Sequence, residues 1–214
     1  MTPEIFVRIS AKSAGDAIRA AKGWSGRAGC AVDAALLIEA GPAIVAALDE
    51  TAPPVFVLMP LSGPPAAVGR AAVRLARYGA AWVTVTGTAG AAGIKAAVAA
   101  AAGSGARIAV ETLPAAADDA AATALAAMSR GKLVSRIASL AASSGASGVV
   151  GTVVDLGVFA QVAPGLMGIA DGVGSVTRLT EARRRGAGAV IVDTPDLVGA
   201  GEDGASSRRP RSGS

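Results

Sequence analysis

The sequence predicts an α/β protein folded as a (β/α)₈ barrel, the TIM barrel, with its eighth helix missing. Short apolar runs typical of buried strands alternate with helical stretches, and the alternation continues through eight strands. After the eighth strand the chain reads Asp193-Thr-Pro-Asp-Leu-Val-Gly-Ala-Gly, in which no amphipathic helix is recognisable. A doubly wound open sheet is the alternative, because an alternating pattern alone does not show whether the sheet closes.

Each predicted strand is a run of apolar or alternating residues bounded by turn-forming residues. The run from Val55 to Met59 is short and fully apolar, as expected for a parallel strand buried on both faces. In chain order the predicted strands are Glu4 to Ser10, Cys30 to Asp33, Val55 to Met59, Ala81 to Val85, Arg107 to Glu111, Gly148 to Thr152, Gly165 to Ile169 and Ala189 to Val192.

Helix-start signals mark several of the intervening segments. Ser13 and Asp16 form a capping-box pattern that opens a helix running to about Lys22. Pro64 and Pro65 start the helix of the third unit. That helix carries arginines on one side, namely Arg70, Arg74 and Arg77. The remaining predicted helices are Ile44 to Leu48, Ala91 to Ala102, Asp118 to Met128, Leu133 to Ala142, Leu156 to Val162 and Val176 to Arg185.

The alternation predicts one barrel domain over residues 1–199 and a disordered tail over residues 200–214, which are rich in Ser, Gly and Arg. The missing eighth helix would leave an apolar groove between the helices of the seventh and first units. We expect a partner chain to cover this groove, or the region to be unusually mobile.

Composition narrows the class of protein. A mean hydropathy of +0.51 raises the question of a membrane. An uncharged run in the middle of the chain, Gly79 to Ile94, is rich in Gly, Ala and Thr and does not supply the ~20 strongly apolar residues of a span. The N-terminus lacks the pattern of a secretory signal, and the single Cys30 fits a reducing compartment, so we expect a cytoplasmic protein without membrane contact. The modest net charge of +4 favours solvated helix faces and a basic tail over nucleic-acid binding.

Several catalytic classes are excluded by residue counts. The chain has no histidine and one cysteine, which excludes His-based triads, Cys–His pairs and the usual zinc sites. Its lysines all lie outside the predicted strands, so a Schiff-base lysine inside a barrel is not expected; they are Lys12, Lys22, Lys95 and Lys132. We expect no cofactor and no metal.

Three segments carry a resemblance to a known family. They are Gly79-Ala-Ala-Trp-Val-Thr-Val-Thr-Gly-Thr-Ala-Gly90, Ala163-Pro-Gly-Leu166 and Gly186-Ala-Gly-Ala-Val-Ile-Val-Asp-Thr-Pro195. The first is similar to the fourth strand and Gly-containing loop of the orotidine 5′-monophosphate decarboxylase superfamily. The second is similar to that family's seventh-strand Pro-Gly turn, and the third to its last strand and phosphate loop. The resemblance covers roughly residues 4 to 195 and implies a barrel that dimerises with its mouths near the interface.

The chain departs from the family pattern where the chemistry resides. The family places an aspartate at the end of strand one, a lysine on strand two, an Asp–Lys–Asp alternation on strand three and, in many members, a histidine on strand four. The corresponding residues here are Ser10, Ala31, Leu58, Pro60, Gly63 and Thr86. A lysine held among carboxylates stabilises the carbanion-like transition state of such a decarboxylase, and these side chains cannot replace it. The resemblance therefore predicts the fold but not orotidine-phosphate decarboxylation.

The last loop also departs from the pattern. Where the family's phosphate loop ends in Gly-Arg-Pro or a similar sequence, this chain reads Asp193-Thr194-Pro195. The missing arginine removes a bidentate phosphate partner, and the added carboxylate repels a dianion. A non-phosphorylated ligand is expected.

Candidate site residues lie at the predicted strand ends, where barrels carry their active sites. The candidate catalytic residues are Asp33, Glu111 and Asp193. Asp33 and Asp193 could act as general bases, but the pattern favours solvated loop acids for these two. Arg8 is expected to point into the barrel and to pair with Glu111, either holding the barrel together or binding a ligand. Hydroxyl groups for a neutral or weakly polar ligand could come from Ser10, Ser62, Thr84, Thr86 and Thr112. Trp82 and Phe56 are expected in the core.

Two functions remain open. One is a small-molecule enzyme in specialised metabolism, a cyclase, isomerase or lyase that acts on a non-phosphorylated, fairly apolar substrate. The other is a pseudoenzyme that serves as a binding or scaffolding subunit. An open cavity faced by Asp33, Glu111 or Asp193 would favour the enzyme. A mouth plugged by Met59, Leu61 and Met167 would favour the scaffold.

Overall fold

The apolar runs form eight parallel strands in the computed structural model, which describes residues 2–200. Each strand is hydrogen-bonded to the next, and β8 pairs with β1, so the sheet closes on itself. This closure confirms the TIM barrel and excludes the open sheet. The strands are β1 (Glu4–Arg8), β2 (Gly29–Asp33), β3 (Val55–Leu61), β4 (Ala80–Thr86), β5 (Arg107–Glu111), β6 (Gly148–Gly151), β7 (Met167–Val173) and β8 (Ala189–Val192).

Nine α-helices of the described residues surround the barrel. Ser13 caps the first of them as predicted, since its hydroxyl oxygen accepts a hydrogen bond from the Asp16 amide. The helices are α1 (Ala14–Lys22), α2 (Ala34–Ala40), α3 (Ala43–Thr51), α4 (Pro65–Arg77), α5 (Gly90–Ala101), α6 (Asp119–Ala126), α7 (Arg130–Ser143), α8 (Leu156–Val162) and α9 (Val176–Arg184). Short 3₁₀ turns lie at Gly87–Ala89, Val153–Asp155 and Pro195–Leu197.

Large apolar side chains fill the inside of the barrel. The Phe6 and Phe56 rings meet edge to face with centroids 5.2 Å apart, and Trp82 stacks on Phe56 at 5.6 Å. All three are fully buried, which confirms the prediction that Phe56 and Trp82 belong to the core. Below them the Arg107 guanidinium lies 4.0 Å from the Trp82 ring centre. This filling closes the lower part of the barrel, and the charged side chains described below lie at its two ends.

A second core lies between the strands and the helices. It is built mainly from Val, Leu, Ile and Ala, and it contains Cys30, which is fully buried on the outer side of β2. Burial raises the pKa of the Cys30 thiol to about 11. The thiol is therefore un-ionised at neutral pH.

The structure corrects two predictions of secondary structure, the end of the seventh strand and the absence of a helix directly after the second strand. β7 runs from Met167 to Val173, four residues beyond the predicted end at Ile169, because Asp171 and Gly172 read as a turn although the strand continues through them. The helix α2 was not predicted, since its seven residues follow β2 without an intervening loop. Asp33 ends the strand and caps the helix at the same time.

The end of the chain agrees with the predicted gap in the helical ring. Between β8 and Ala200 the only helical segment is the 3₁₀ turn Pro195–Leu197. Residues 201–214 of the predicted tail lie outside the described residues. The apolar groove between α9 and α1 remains a prediction. Across residues 2–200, no helix is both long and apolar enough to cross a bilayer.

Candidate functional site

The carboxyl ends of the eight strands form one mouth, and side-chain alternation decides which residues reach it. Phe6, Ala109, Ile169 and Ile191 belong to the closed interior core. The residues two positions further along the same strands therefore face the inside at the mouth. They are Arg8, Glu111, Asp171 and Asp193. These four strands thus bring three carboxyl groups and one guanidinium to the mouth.

Arg8 is held by two carboxylates from neighbouring strands. Its Nη2 donates to Asp171 Oδ1 at 2.5 Å, and its Nε donates to Asp193 Oδ1 at 3.2 Å. The prediction that Arg8 pairs with Glu111 is wrong. Barrel closure places β8 beside β1, with β7 next to it, whereas β5 lies across the barrel. The expectation that Arg8 faces inward and needs an acid is met by different acids.

Asp171 is the site residue that sequence reasoning missed. The predicted strand ended at Ile169, which left Asp171 outside it. The alternation of inward positions Met167, Ile169 and Asp171 nevertheless indicates that Asp171 faces the barrel interior. Burial raises the pKa of Asp171, and the nearby Asp193 carboxylate adds to this. Arg8 and the Gly172 amide, which donates to Asp171 Oδ1 at 2.8 Å, act in the opposite direction without cancelling the rise.

Glu111 ends β5 and is half-buried. Burial raises the pKa of its carboxyl group, and the charge of Asp171 raises it further. Among residues 2–200, no lysine or arginine forms an ion pair with Glu111. The mouth therefore contains two electrostatically linked carboxyl groups that both retain a proton to higher pH than usual.

Asp33 has a structural role. Its Oδ1 accepts a hydrogen bond from the Leu36 amide at 3.0 Å and caps α2. In the sheet register Asp33 is level with Leu58, whereas Ala31 pairs with Phe56 one layer lower. The residue of strand two that reaches the mouth beside Leu58 is therefore Asp33, which corrects the assignment of Ala31 to the lysine position.

The predicted hydroxyl groups divide into two classes. Thr84 is fully buried and donates to the Val57 carbonyl at 2.8 Å, and Thr112 is 3% exposed and donates to the Val150 carbonyl at 3.0 Å. Both predictions of ligand contact are corrected, because these hydroxyls are used to join neighbouring strands. Ser10 and Ser62 are exposed beyond β1 and β3, and Thr86 is half-buried at the end of β4. These three remain accessible.

A cavity of about 420 Å³ opens at the mouth beside the ends of β6 and β7. Its walls combine polar side chains with alanine and glycine, and of the mouth carboxyl groups only that of Asp171 lines it. Asp193 lies directly behind it, with Oδ2 3.5 Å from where a Cβ on Gly174 would stand. The lining residues are Ala115, Thr152, Asp171, Gly172, Gly174, Ser175 and Arg178.

A slightly larger cavity, of about 490 Å³, lies at the opposite end of the barrel. It is lined mainly by residues at the starts of β1, β2 and β3, including Pro3, Gly26 and Pro54. We assign the site to the smaller cavity, because the linked carboxyl groups and Arg8 are at the mouth and not at the base.

The three side chains expected to plug the mouth lie elsewhere. Met59 and Leu61 point outward and pack in the core between strands and helices. Met167 begins β7 at the base, where its side chain packs against Gly188. The turn at Pro164 and Gly165 also precedes β7, so the glycine-rich loop at the mouth is the one containing Gly172 and not the Pro-Gly turn.

A buried ion pair supports one wall of the cavity. Arg130 donates to both carboxylate oxygens of Asp155, at 2.5 and 2.8 Å, and to the Ala117 carbonyl at 2.9 Å. Thr152 donates to Asp155 through its amide and its hydroxyl, both at 2.8 Å. Burial acts to raise the pKa of Asp155, but these hydrogen bonds outweigh it and the pKa is lowered. The network fixes Thr152 at the cavity edge.

Metal binding has no ready ligand set in this site. Within residues 2–200, no three His, Cys, Asp or Glu side chains are grouped so that they could hold a metal ion together. The chemistry that the arrangement can perform with its own groups is proton transfer by carboxyl groups next to a fixed guanidinium.

Comparison with known proteins places this site in context. The family model described as "Orotidine 5'-phosphate decarboxylase / HUMPS family" matches residues 32–203. A search of curated proteins found no match.

Solved structures with the same architecture are numerous. The orotidine 5'-phosphate decarboxylase of Lactobacillus acidophilus is 20% identical, with a TM-score of 0.81 over 92% of this chain and 95% of that one. An uncharacterized conserved protein from Geobacillus kaustophilus is 24% identical, with a TM-score of 0.79 over 92% and 94%. The orotidine 5'-monophosphate decarboxylase of Methanocaldococcus jannaschii, complexed with the inhibitor BMP, is 15% identical, with a TM-score of 0.75 over 90% and 89%. At these identities the likeness concerns the fold.

Proposed function

Because the chain belongs to the orotidine 5'-phosphate decarboxylase / HUMPS family, a family of enzymes, we propose that it is a small-molecule enzyme acting by proton transfer at the barrel mouth. Many cyclisations, isomerisations and eliminations include such a step. The observation that carries the proposal is Asp171, an inward carboxyl group with a raised pKa that is fixed by Arg8 and lines the 420 Å³ cavity.

The two linked carboxyl groups suit opposite roles. A general base works best when its pKa lies near the working pH, and burial moves the pKa of Asp171 in that direction. Glu111 has no ion-pair partner among residues 2–200, so we assign it as the group that keeps its proton when Asp171 is ionised. We assign Asp171 as the base that contacts substrate and Glu111 as the acid. Arg8 is a positioning residue that orients Asp171.

The substrate is proposed to be non-phosphorylated. Four carboxyl groups reach the mouth, those of Asp33, Glu111, Asp171 and Asp193, and Arg8 is already engaged with two of them. A phosphate dianion would be repelled by this excess of negative charge, although Arg178 stands at the cavity rim. The polar side chains of the lining, Thr152, Asp171 and Ser175, favour a substrate that carries hydroxyl or amine groups beside its apolar part.

We do not expect this chain to catalyse the decarboxylation typical of the family. Leu58 packs on the interior core, and Asp33 is committed to capping α2. None of the four lysines lies on a strand, so the preorganised lysine that would stabilise a carbanion has no counterpart in the barrel.

The test is an untargeted ligand screen by native mass spectrometry, followed by turnover assays of each ligand found. Orotidine and sugar monophosphates serve as controls that should not bind. Asp171→Asn should reduce turnover by about 10²-fold or more while the protein stays folded. The control is Asp196→Asn, which removes an exposed carboxylate on the 3₁₀ turn after β8 and should leave turnover unchanged. Tight binding of the monophosphates would contradict the proposed substrate class.

A pseudoenzyme is the second candidate, because the mouth acids have structural partners. Asp33 caps α2, and both Asp171 and Asp193 bind Arg8. If Asp171→Asn unfolds the protein and the screen yields no ligand that is converted, the mouth is a structural ion-pair cluster and the barrel is a binding or scaffolding subunit.

We further propose a cytoplasmic homodimer in which the mouths approach each other. Three strongly exposed apolar side chains follow strand ends on this face: Ile38 is 83% exposed, Val154 61% and Val176 53%. Apolar groups around a mouth favour association. Ile38→Ser should weaken the dimer in light-scattering measurements. Tyr78→Ser serves as the control, because Tyr78 is an exposed aromatic residue at the end of α4, just before β4 and therefore at the base of the barrel.

A further inference from the structure

The helix α4 has two different flanks. On one flank it packs closely along α5, where Gly69 approaches so tightly that an added Cβ would lie 3.1 Å from the Ala96 carbonyl oxygen. On the other flank, toward the start of α3, a groove of about 530 Å³ is open to solvent. Its lining residues are Pro42, Met59, Ala71, Arg74, Leu75, Arg77 and Tyr78. We call this surface the α4 groove.

The α4 groove combines an apolar floor with a basic rim. Met59 of β3 and Leu75 form the floor. Arg74 and Arg77 are exposed at the rim, and Tyr78 beside them is 38% exposed. Arg70 lies one helical turn before Arg74 and extends the same basic stripe.

The charges of this stripe are uncompensated within the part of the chain that the structure describes. No ion pair among residues 2–200 includes Arg70, Arg74 or Arg77. Asp49 of α3 lies beside Gly79 at this end of α4 and forms no ion pair with these arginines. The helix dipole favours Arg74 and Arg77 in the last turn of α4, but the three like charges repel one another, and an approaching anionic group would relieve this repulsion.

We propose that the α4 groove binds an acidic amphipathic helix of a partner protein. Arg, Tyr and Met are the residue types enriched at protein interfaces, and arginine binds carboxylates through two parallel hydrogen bonds. Arg70 and Arg77 are seven positions apart, which corresponds to about 10 Å along the helix, the distance between two acidic residues two turns apart on a facing helix. Apolar side chains between those acids would fill the floor at Met59 and Leu75.

Other occupants fit this surface less well. A two-fold contact of the α4 groove with the same groove of a second copy would bring arginine stripes opposite each other. A nucleic acid would satisfy the arginines but would leave the apolar floor without a partner. The acidic helix satisfies both features.

The experiment measures binding of a fluorescent four-turn peptide, with leucines on one face flanked by glutamates, to the full-length protein by anisotropy. Two comparison peptides replace the glutamates by lysines or the leucines by serines. The double variant Arg74→Glu and Arg77→Glu should weaken binding of the acidic peptide at least about tenfold, and Arg184→Glu on the exposed face of α9 should leave it unchanged. Circular dichroism verifies that each variant is folded.

Both comparison peptides should bind at least about tenfold more weakly than the acidic amphipathic one. Equal affinity for the lysine peptide, insensitivity to the double variant, or no binding of the acidic peptide at millimolar concentration would each overturn the proposal. Loss of self-association in the double variant would overturn it in favour of a second copy as occupant. Tighter binding of duplex DNA, lost in the same variant, would overturn it in favour of nucleic acid.

Discussion

Two arginine–carboxylate clusters lie within the same barrel, and their contrast separates structure from chemistry. Asp155 receives two hydrogen bonds from Arg130 and two from Thr152, and the pKa of its carboxyl group is lowered. Asp171 shares Arg8 with Asp193, and the pKa of its carboxyl group is raised. A buried acid that is fully hydrogen-bonded supports the fold. An acid with incomplete compensation retains the ability to exchange a proton.

The largest expected difference concerns stability. Arg130→Met removes the cation from a carboxylate that is 3% exposed, so the free energy of unfolding should fall by about 3–5 kcal/mol. Arg8→Met should cost about 1 kcal/mol, because the Arg8 side chain is 26% exposed and water can solvate the acids left behind. Urea denaturation of the two variants checks this, and equal losses would show that the clusters are not different in kind.

The second prediction concerns the pH dependence of turnover. Arg8 acts to lower the pKa of Asp171, so Arg8→Met should move the acidic limb of the pH–rate profile to higher pH. The base would then ionise later as pH rises. Lys12→Met in the first loop, close to the mouth in sequence but in none of the ion pairs of residues 2–200, is the matched loss of charge and should leave the limb in place.

The third prediction concerns the pH dependence of stability, which should have opposite signs for Glu111 at the mouth and for Asp155. The pKa of Glu111 is raised in the folded state, so this residue should lower stability as pH rises from its ordinary value of about 4.3 through the raised pKa. The pKa of Asp155 is lowered, so its contribution should be present above about 3.9 and be lost as pH falls through the folded-state pKa.

Urea denaturation across pH separates these two contributions. Glu111→Gln should make the protein more stable than the parent at neutral pH and equally stable in acid. Asp155→Asn should be less stable at neutral pH, with a difference that shrinks in acid. Unfolding of the Glu111→Gln variant would instead identify Glu111 as a structural residue.

The smallest expected effect belongs to an accessible hydroxyl at the mouth. Ser10 is exposed beyond β1 and has no side-chain hydrogen bond among the described residues. Ser10→Ala should change the free energy of unfolding by less than about 0.5 kcal/mol. If Ser10 contacts substrate, affinity should fall by about 1 kcal/mol, or roughly fivefold. Isothermal titration with a ligand from the screen distinguishes contact from its absence.

The sequence predicted the architecture better than the site. β5 and β8 were predicted with their observed bounds, because alternation and apolar content are local signals. The acids around Arg8 were not, since they depend on which strands become neighbours when the sheet closes. Asp171 was missed for a local reason: the Asp-Gly pair that signals a turn lies inside β7. Thr84 and Thr112 looked like ligand contacts because burial and hydrogen bonding between strands are tertiary properties.

The single thiol of the chain, that of Cys30, is a natural probe of how often the barrel opens. It lies outside the proposed catalytic mouth, is completely shielded from solvent, and has a pKa of about 11. An alkylating reagent can therefore modify it only when β2 detaches from its neighbours. The modification rate of the wild-type chain reports how often the cylinder opens, without any label or engineered residue.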